Sequence, residues 1–204
     1  MVLRLGWLLG HGMRIPGMWD NPANPRRRDI PAFALPLTIP HHRAMRILGI
    51  DPGLNTTGWG VVQTTGSNDC AWAAHGAIRT KPADAKTHRL VQLRDAVCRL
   101  AREHQATHGA IEAGYVGANA RSAMTLGEAR AACILGLADA GLEVVEYSPA
   151  LVKSTVAGYG RGEKSQVAEM VRLQLRLEKA PTPEDAADAL AVAITHWAHA
   201  RLSR

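Results

Sequence analysis

Short apolar runs separated by turn residues fill the chain between residues 47 and 78. The pattern predicts three strands, at 47–50, 58–64 and 70–78, because each run is rich in β-branched or small apolar residues and ends in a turn signal. The turns are Asp51-Pro52-Gly53 and Gly66-Ser67-Asn68-Asp69. The shortness of the second connection favours an antiparallel hairpin.

A helical period replaces this pattern after residue 85. Residues 86–105 place Leu90, Leu93 and Val97 on one face, which predicts an amphipathic helix. The remaining predicted elements are a strand at 109–112, a helix at 119–140, a strand at 143–147, and helices near 149–156, 163–177 and 184–202. Three meander strands followed by alternating strands and helices indicate an α/β fold: a mixed five-stranded sheet flanked by helices.

The first 44 residues differ from the rest of the chain in composition. They hold six of the eleven prolines, show no sustained period and contain Arg26-Arg27-Arg28. We therefore predict a disordered N-terminal extension at 1–44 and a folded domain at 45–204. The extension lacks the long apolar segment of a secretory signal and has no serine, unlike an organelle transit peptide. Met45-Arg46-Ile47 is typical of the natural start of a protein. We therefore favour the interpretation that residues 1–44 result from an upstream choice of start site over the interpretation that they form a functional basic arm.

The net charge of +6 says little about what the folded domain binds. Residues 1–44 carry six arginines and two acids, which leaves 18 basic and 16 acidic side chains for the remainder. A basic binding surface must therefore come from local clustering. The three cysteines show no CxxC spacing, which favours a reducing, cytoplasmic compartment. No apolar run is long enough to span a bilayer, so we expect no membrane association.

Four acidic residues stand at the edges of apolar segments: Asp51, Glu112, Asp185 and Asp188. A carboxylate in apolar surroundings is costly unless it is paired or binds a metal. If strands 47–50 and 109–112 are parallel neighbours, the first two acids share one sheet edge. The other two lie three apart on a helix and so face the same way. Converging carboxylates repel one another, and hard oxygen ligands of this kind suit Mg²⁺ or Mn²⁺.

Five blocks, three of which carry these acids, occur in the order typical of one family. They are Arg46-Ile-Leu-Gly-Ile-Asp-Pro-Gly53 with Gly58, Ala110-Ile-Glu112, Asn119-Ala-Arg-Ser-Ala123, Glu163-Lys-Ser-Gln-Val167 and Asp185-Ala-Ala-Asp-Ala-Leu-Ala-Val-Ala-Ile-Thr-His196. In these blocks the chain resembles the RuvC family of Holliday junction resolvases. The resemblance covers residues 45 to about 200, and residues 1–44 have no counterpart in the family pattern. It implies a ribonuclease H-like fold.

The resemblance implies an activity and a set of partners. A homodimer would bind a four-way DNA junction and make two symmetric nicks during homologous recombination and DNA repair. Asp51, Glu112, Asp185 and Asp188 would be catalytic and would bind Mg²⁺, with Mn²⁺ able to substitute and two ions in each active site. Direct hydrolysis would leave ends that a ligase can seal, without a serine or cysteine nucleophile. The family also suggests a partnership with the RuvA–RuvB branch-migration complex.

Four further residues are candidate DNA contacts. Tyr115 follows Glu112 in a glycine-containing loop and departs from the phenylalanine common in the family; an aromatic there could stack on an unpaired base. The resemblance points to Lys153 and Lys164 as DNA-binding residues, and Arg161 is a further candidate. The simpler interpretation is an ordinary loop tyrosine and a solvated basic loop, although lysine and glycine suit phosphate contact.

Two structural questions stay open from sequence. Gly53 and Gly58 either permit a tight turn and close packing, or leave room for a DNA phosphate and metal, and both roles are compatible. The small residues of helix 119–140 suit close packing either within the core or across a dimer. His196 and His199 are expected on the last helix without a role in metal binding.

Three other functions compete with junction cleavage. Asp51-Pro-Gly-Leu-Asn-Thr-Thr-Gly58 superficially resembles the first phosphate loop of actin-like ATPases, but such proteins need a longer chain and a second loop. A non-catalytic junction-binding module would be expected to lose some of the acids. A ribonuclease acting on RNA–DNA hybrids would share the fold and the acids, and fold analogy alone does not decide the substrate.

Overall fold

Ten elements build one α/β domain in the computed structural model, which describes residues 45–66, 69–114, 119–158 and 164–202. They are β1 (Arg46–Asp51), β2 (Thr56–Thr64), β3 (Cys70–Arg79), α1 (Lys86–Glu103), β4 (His108–Glu112), α2 (Ala120–Asp139), β5 (Val144–Tyr147), α3 (Pro149–Ala157), α4 (Lys164–Gln174) and α5 (Glu184–Leu202). The predicted elements are confirmed, with small shifts at their ends. The predicted extension at 1–44 lies outside the described residues, as do Tyr115 and Arg161.

The five strands form one mixed sheet in the order β3-β2-β1-β4-β5. Strands β1, β2 and β3 are an antiparallel meander, as the short turns predicted, and β4 and β5 are parallel to β1. Helix α1 connects β3 to β4 and helix α2 connects β4 to β5, so β1 and β4 become neighbours. This placement meets the condition under which Asp51 and Glu112 were expected to share one sheet edge.

Alternation along the strands divides the core between the two faces of the sheet. Leu48, Ile50 and Ile111 pack with residues of α1 and α2 on one face. Ile47 and Ala110 pack with α3, α4 and α5 on the other. Positions 47, 49 and 51 of β1 and positions 108, 110 and 112 of β4 therefore face α5, because successive side chains point to opposite sides.

Helix α5 lies unusually close to the sheet because glycines replace side chains beneath it. A Cβ on Gly49 would lie 2.9 Å from the Cβ of Ala193 and would also collide with the Ala189 carbonyl. A Cβ on Gly60 would lie 2.6 Å from Cγ of Leu190. Residues 189–194 of α5 are accordingly buried almost completely. None of the helices in the described ranges is both long and apolar enough to cross a bilayer.

Candidate active site

The carboxyl ends of β1 and β4 carry the first two predicted acids. The two strands are parallel, with Ile50 paired to Ile111, so Asp51 and Glu112 are the next residues along adjacent strands. Both face α5 by the alternation described above, and both are half-buried. Neighbouring strands lie about 4.8 Å apart, so the fold places these two acids side by side.

Helix α5 brings the third acid to the same edge. Asp51 pairs across the meander with Gly58, and Asp185 lies directly over Gly58. A Cβ on Gly58 would be 3.0 Å from the Cβ of Asp185 and would collide with its carbonyl group. The space above Gly58 is thus occupied by α5, which favours the packing role for this glycine over a path for DNA or metal.

Asp188 stands one turn further along α5 and is half-buried like Asp185. Residues three apart share a helical face, so the two acids project from one side of the helix. Both lie near its N-terminal end, where the helix dipole stabilises negative charge. The backbone therefore directs the four predicted acids toward one end of the sheet.

The side chains of the acids are not gathered into a compact metal-binding group. In the ranges that the structure describes, no three His, Cys, Asp or Glu residues form a group that could hold a metal ion. Their chemistry nevertheless fits a hard divalent cation, since all four are carboxylates and none is fully buried. Metal binding by these four residues consequently stays a prediction.

The loop that follows Asp51 is held by its own hydrogen bonds. The buried Thr57 hydroxyl donates to the Gly53 carbonyl over 2.6 Å, and the Gly53 amide donates to the Thr57 hydroxyl oxygen over 3.2 Å. A Cβ on Gly53 would collide with the Thr56 carbonyl. Gly53 therefore has the tight-turn role.

Cys133 of α2 lies close enough to Asp51 to sense its charge. Burial raises the pKa of the Cys133 thiol to about 12; a hydrogen bond with Thr57 opposes the rise, and the negative charge of Asp51 adds to it. The thiol is therefore protonated at neutral pH and is no nucleophile. The remaining cysteines, Cys70 and Cys98, are also free thiols.

Helix α3 carries the one candidate DNA contact whose side chain the structure describes. Lys153 is half-buried and forms no ion pair with the described residues. Lys164 begins α4, but its side chain is outside the described part, and Tyr115 and Arg161 lie outside it altogether. Their proposed roles stay predictions.

Two groups near the site were not singled out from the sequence. Arg89 of α1 is 7% exposed and hydrogen bonds to the loop after Asp51. Its position on the apolar face of α1, four residues before Leu93, was the available signal. Thr57 had no comparable signal, because its partners Gly53 and Cys133 are set by the fold.

The last helix places His196 in the core rather than at the acids. Its ring lies 5.3 Å from that of His108, centroid to centroid, and its Nδ1 is 3.0 Å from the Tyr147 hydroxyl. Burial lowers the pKa of His196 to about 4, and the neighbouring His108 and His199 add to the shift. This imidazole is therefore neutral at physiological pH.

Comparison with known proteins finds one family to which most of the folded domain is similar. The family model described as crossover junction endodeoxyribonuclease RuvC matches residues 47–196. A protein of that name from Maricaulis maris is 48% identical over 158 residues, which cover 78% of this chain and 93% of the relative. Another from Chloroflexus aggregans is 45% identical over 152 residues, covering 74% of this chain and 92% of the relative.

Solved structures show the same fold. Thermus thermophilus RuvC in complex with a Holliday junction substrate has a TM-score of 0.73 and 33% identity, covering 78% of this chain and 96% of that one. The yeast mitochondrial Holliday junction resolvase Ydc2 has a TM-score of 0.57 and 14% identity, covering 80% of this chain and 84% of that one. At that identity the second similarity supports the fold alone.

Proposed function

Because the chain belongs to the RuvC family of crossover junction endodeoxyribonucleases, we propose that it resolves four-way DNA junctions by paired symmetric nicks. The family match over residues 47–196 carries this proposal, since it includes all four acids of the candidate site. Homologous recombination and DNA repair are the processes that produce such junctions. A reducing cytoplasmic compartment agrees with the three free thiols.

Asp51, Glu112, Asp185 and Asp188 are the catalytic residues in this proposal and hold two Mg²⁺ ions, for which Mn²⁺ can substitute. Bound divalent ions supply Lewis-acid stabilisation at the scissile phosphate and lower the pKa of water. The chain supplies the positions: β1 and β4 hold two carboxylates side by side, and α5 holds Asp185 over Gly58. Cys133, whose thiol lies close enough to Asp51 for the carboxylate to affect its pKa, is protonated and has no part as a nucleophile in this proposal.

In this proposal, contacts to the DNA backbone come from basic residues of the C-terminal half of the chain. Lys153 is the best supported of these, because it is half-buried without a carboxylate partner among the described residues. Lys164 and Arg161 are further proposed phosphate contacts, and Tyr115 is proposed to stack on a base at the junction. Phosphate contacts of this kind position the DNA without reading its sequence.

A homodimer is supported by the outer face of α2. The helix exposes small and apolar residues at a spacing of three and four: Met124, Gly127, Ala131, Leu135 and Ala138. Met124 is 70% exposed and Leu135 55% exposed. An apolar helical stripe open to water favours association with a second copy, and the small residues facing inward, such as Gly136, pack instead against α1. The RuvA–RuvB complex is a further proposed partner of this dimer.

The test is cleavage of a synthetic four-way junction in the presence of Mg²⁺. Wild-type protein should make paired nicks that ligase reseals, whereas plain duplex should stay intact. Asp51→Asn should bind the junction without cutting it, because the amide keeps the shape but removes the charge. Tight binding without cutting by the wild-type protein would instead indicate a structural junction-binding module. Neither binding nor cutting would direct attention to RNA–DNA hybrids.

A further inference from the structure

Arg89 is a buried cation whose hydrogen-bond acceptors within the described ranges are all neutral. Its Nε donates to the Thr80 hydroxyl over 2.8 Å, and its Nη2 donates to the Leu54 carbonyl over 3.2 Å and to Oδ1 of Asn55 over 2.5 Å. Arginines this deeply buried usually face a carboxylate. Here three hydrogen bonds join the guanidinium to the Thr80 hydroxyl and to the loop residues Leu54 and Asn55.

Thr80, at the end of β3, holds the same loop from a second direction. Its hydroxyl donates to the Leu54 carbonyl over 2.5 Å, and its amide donates to the Asn55 carbonyl over 3.1 Å. Leu54 and Asn55 are therefore fixed by bonds from α1 and from the end of β3. Gly53, one residue earlier, is held by Thr57.

This loop begins at the residue after Asp51. The path of the loop therefore fixes how the backbone is oriented at the end of β1. Burial of a guanidinium is costly, and that cost is offset only if its several donors are satisfied together. A fork of fixed donors can bridge a carbonyl, a hydroxyl and an amide oxygen at once, which a neutral side chain of similar length cannot do. The arrangement thus imposes one geometry on residues 53–55.

We propose that Arg89 is a positioning residue for DNA cleavage, acting through Thr80 and the 53–55 loop to hold Asp51 in its productive place. This role presupposes the proposed nuclease function. A displacement of about 1 Å at a reacting group can cost on the order of a hundredfold in rate. Loss of the hydrogen bonds from Arg89 and Thr80 to the 53–55 loop should therefore slow cutting far more than it weakens binding of the junction.

Two pairs of variants test this role. Arg89→Met removes the donors while keeping the length, and Arg94→Met is its control, because Arg94 lies on α1 in an exposed ion pair with Asp139. Thr80→Val removes the hydroxyl at nearly constant volume, and Thr80→Ser restores it. If Arg89→Met does not fold, the threonine pair decides the question alone.

Three quantities are measured below the melting temperature of every variant. Single-turnover cleavage at saturating protein should fall at least about tenfold in Arg89→Met and Thr80→Val, with the junction Kd within about threefold of wild type. Hydrogen exchange at the Thr80 amide of Arg89→Met should accelerate, because this amide bonds to the loop at Asn55. The two controls should match wild type in all three.

Each contrary result has a distinct meaning. An unchanged cleavage rate with faster exchange would make Arg89 a stabilising residue only. A Kd that weakens in proportion to the rate would place its effect on DNA binding, and unchanged exchange would show that it does not hold the loop. If the wild-type protein cuts no junction, the proposed function fails, while the exchange measurement still decides whether Arg89 holds the loop.

Discussion

At the scale of the residue, Gly58 connects packing to the candidate site. It pairs with Asp51 in the sheet and lies under the backbone of Asp185. Gly58→Ala would push α5 away from the strand ends, because its methyl group has no room. We expect a loss of about 1–3 kcal/mol in the free energy of unfolding, as in other overpacked sites. Junction cleavage should fall by at least about tenfold, measured under single-turnover conditions.

Gly66→Ala is the control for this substitution. Gly66 lies in the exposed turn between β2 and β3, and a Cβ there meets no atom of the described residues within 4 Å. Its stability and cleavage rate should stay close to those of wild type. If Gly58→Ala also cuts at the wild-type rate, close seating of Asp185 on the sheet is not required for activity.

The acids of the candidate site and the residues that hold the loop after Asp51 differ in how far they could be predicted from the sequence. Asp51 and Glu112 each end an apolar run, and this local pattern predicted their placement at adjacent strand ends. Arg89 and Thr80 hold the same loop through partners up to 35 residues apart along the chain. Such bonds leave no periodic trace, so only the folded structure reveals them.

At the scale of the element, hydrophobic periodicity predicted the strands and helices because local and tertiary preferences agree along this chain. The parallel pairing of β1 and β4 entered the sequence analysis only as a condition for Asp51 and Glu112 to share one edge, and the structure meets that condition. The depth at which α5 lies against the sheet was not predicted. It depends on Gly49, Gly58 and Gly60 coming together on one face, and this requires the register of two strands.

The stripe on α2 leads to a prediction about assembly. Leu135→Glu places a charge in the middle of the proposed interface, and burying it without a partner is costly. We expect the dimer to dissociate at concentrations where wild type remains paired, as measured by analytical ultracentrifugation. The loss of paired nicks on junction DNA should accompany dissociation.

Leu173→Glu is the matched control for the assembly prediction. Leu173 lies on α4 and is 52% exposed, close to the 55% of Leu135. Because it is outside the α2 stripe, its substitution should leave the sedimentation of the dimer unchanged. Equal dissociation of both variants, or of neither, would contradict an interface centred on α2.

At the scale of the whole molecule, the family match begins at residue 47 and leaves the predicted extension outside it. Deleting residues 2–44 should therefore retain junction cleavage within about threefold of the full chain, measured as a single-turnover rate. The salt dependence of junction binding should also be unchanged if the extension does not touch phosphates. Weaker junction binding by the deletion variant at low salt, with a shallower dependence on salt, would instead show that Arg26-Arg27-Arg28 belongs to a functional basic arm.

The buried imidazole of His196 makes the stability of the domain depend on pH. Its pKa is about 4 in the folded protein, against an ordinary value of 6.5. Between these values the unfolded chain binds a proton that the folded chain does not, so stability is full above pH 6.5 and is lost as the pH falls toward 4. The lowered pKa of His196 corresponds to at most about 3 kcal/mol in the free energy of unfolding.

Chemical denaturation at several pH values between 7 and 4 measures this effect. His196→Phe should be less stable than wild type at pH 7, because Tyr147 loses its hydrogen-bond partner. Its stability should nevertheless decline less steeply with acid, since one buried group no longer takes up a proton only on unfolding. His88→Gln, on the exposed face of α1, should keep the wild-type slope. Equal slopes for wild type and His196→Phe would show that the acid sensitivity of the fold arises elsewhere, with the carboxylates at the sheet edge the next groups to test.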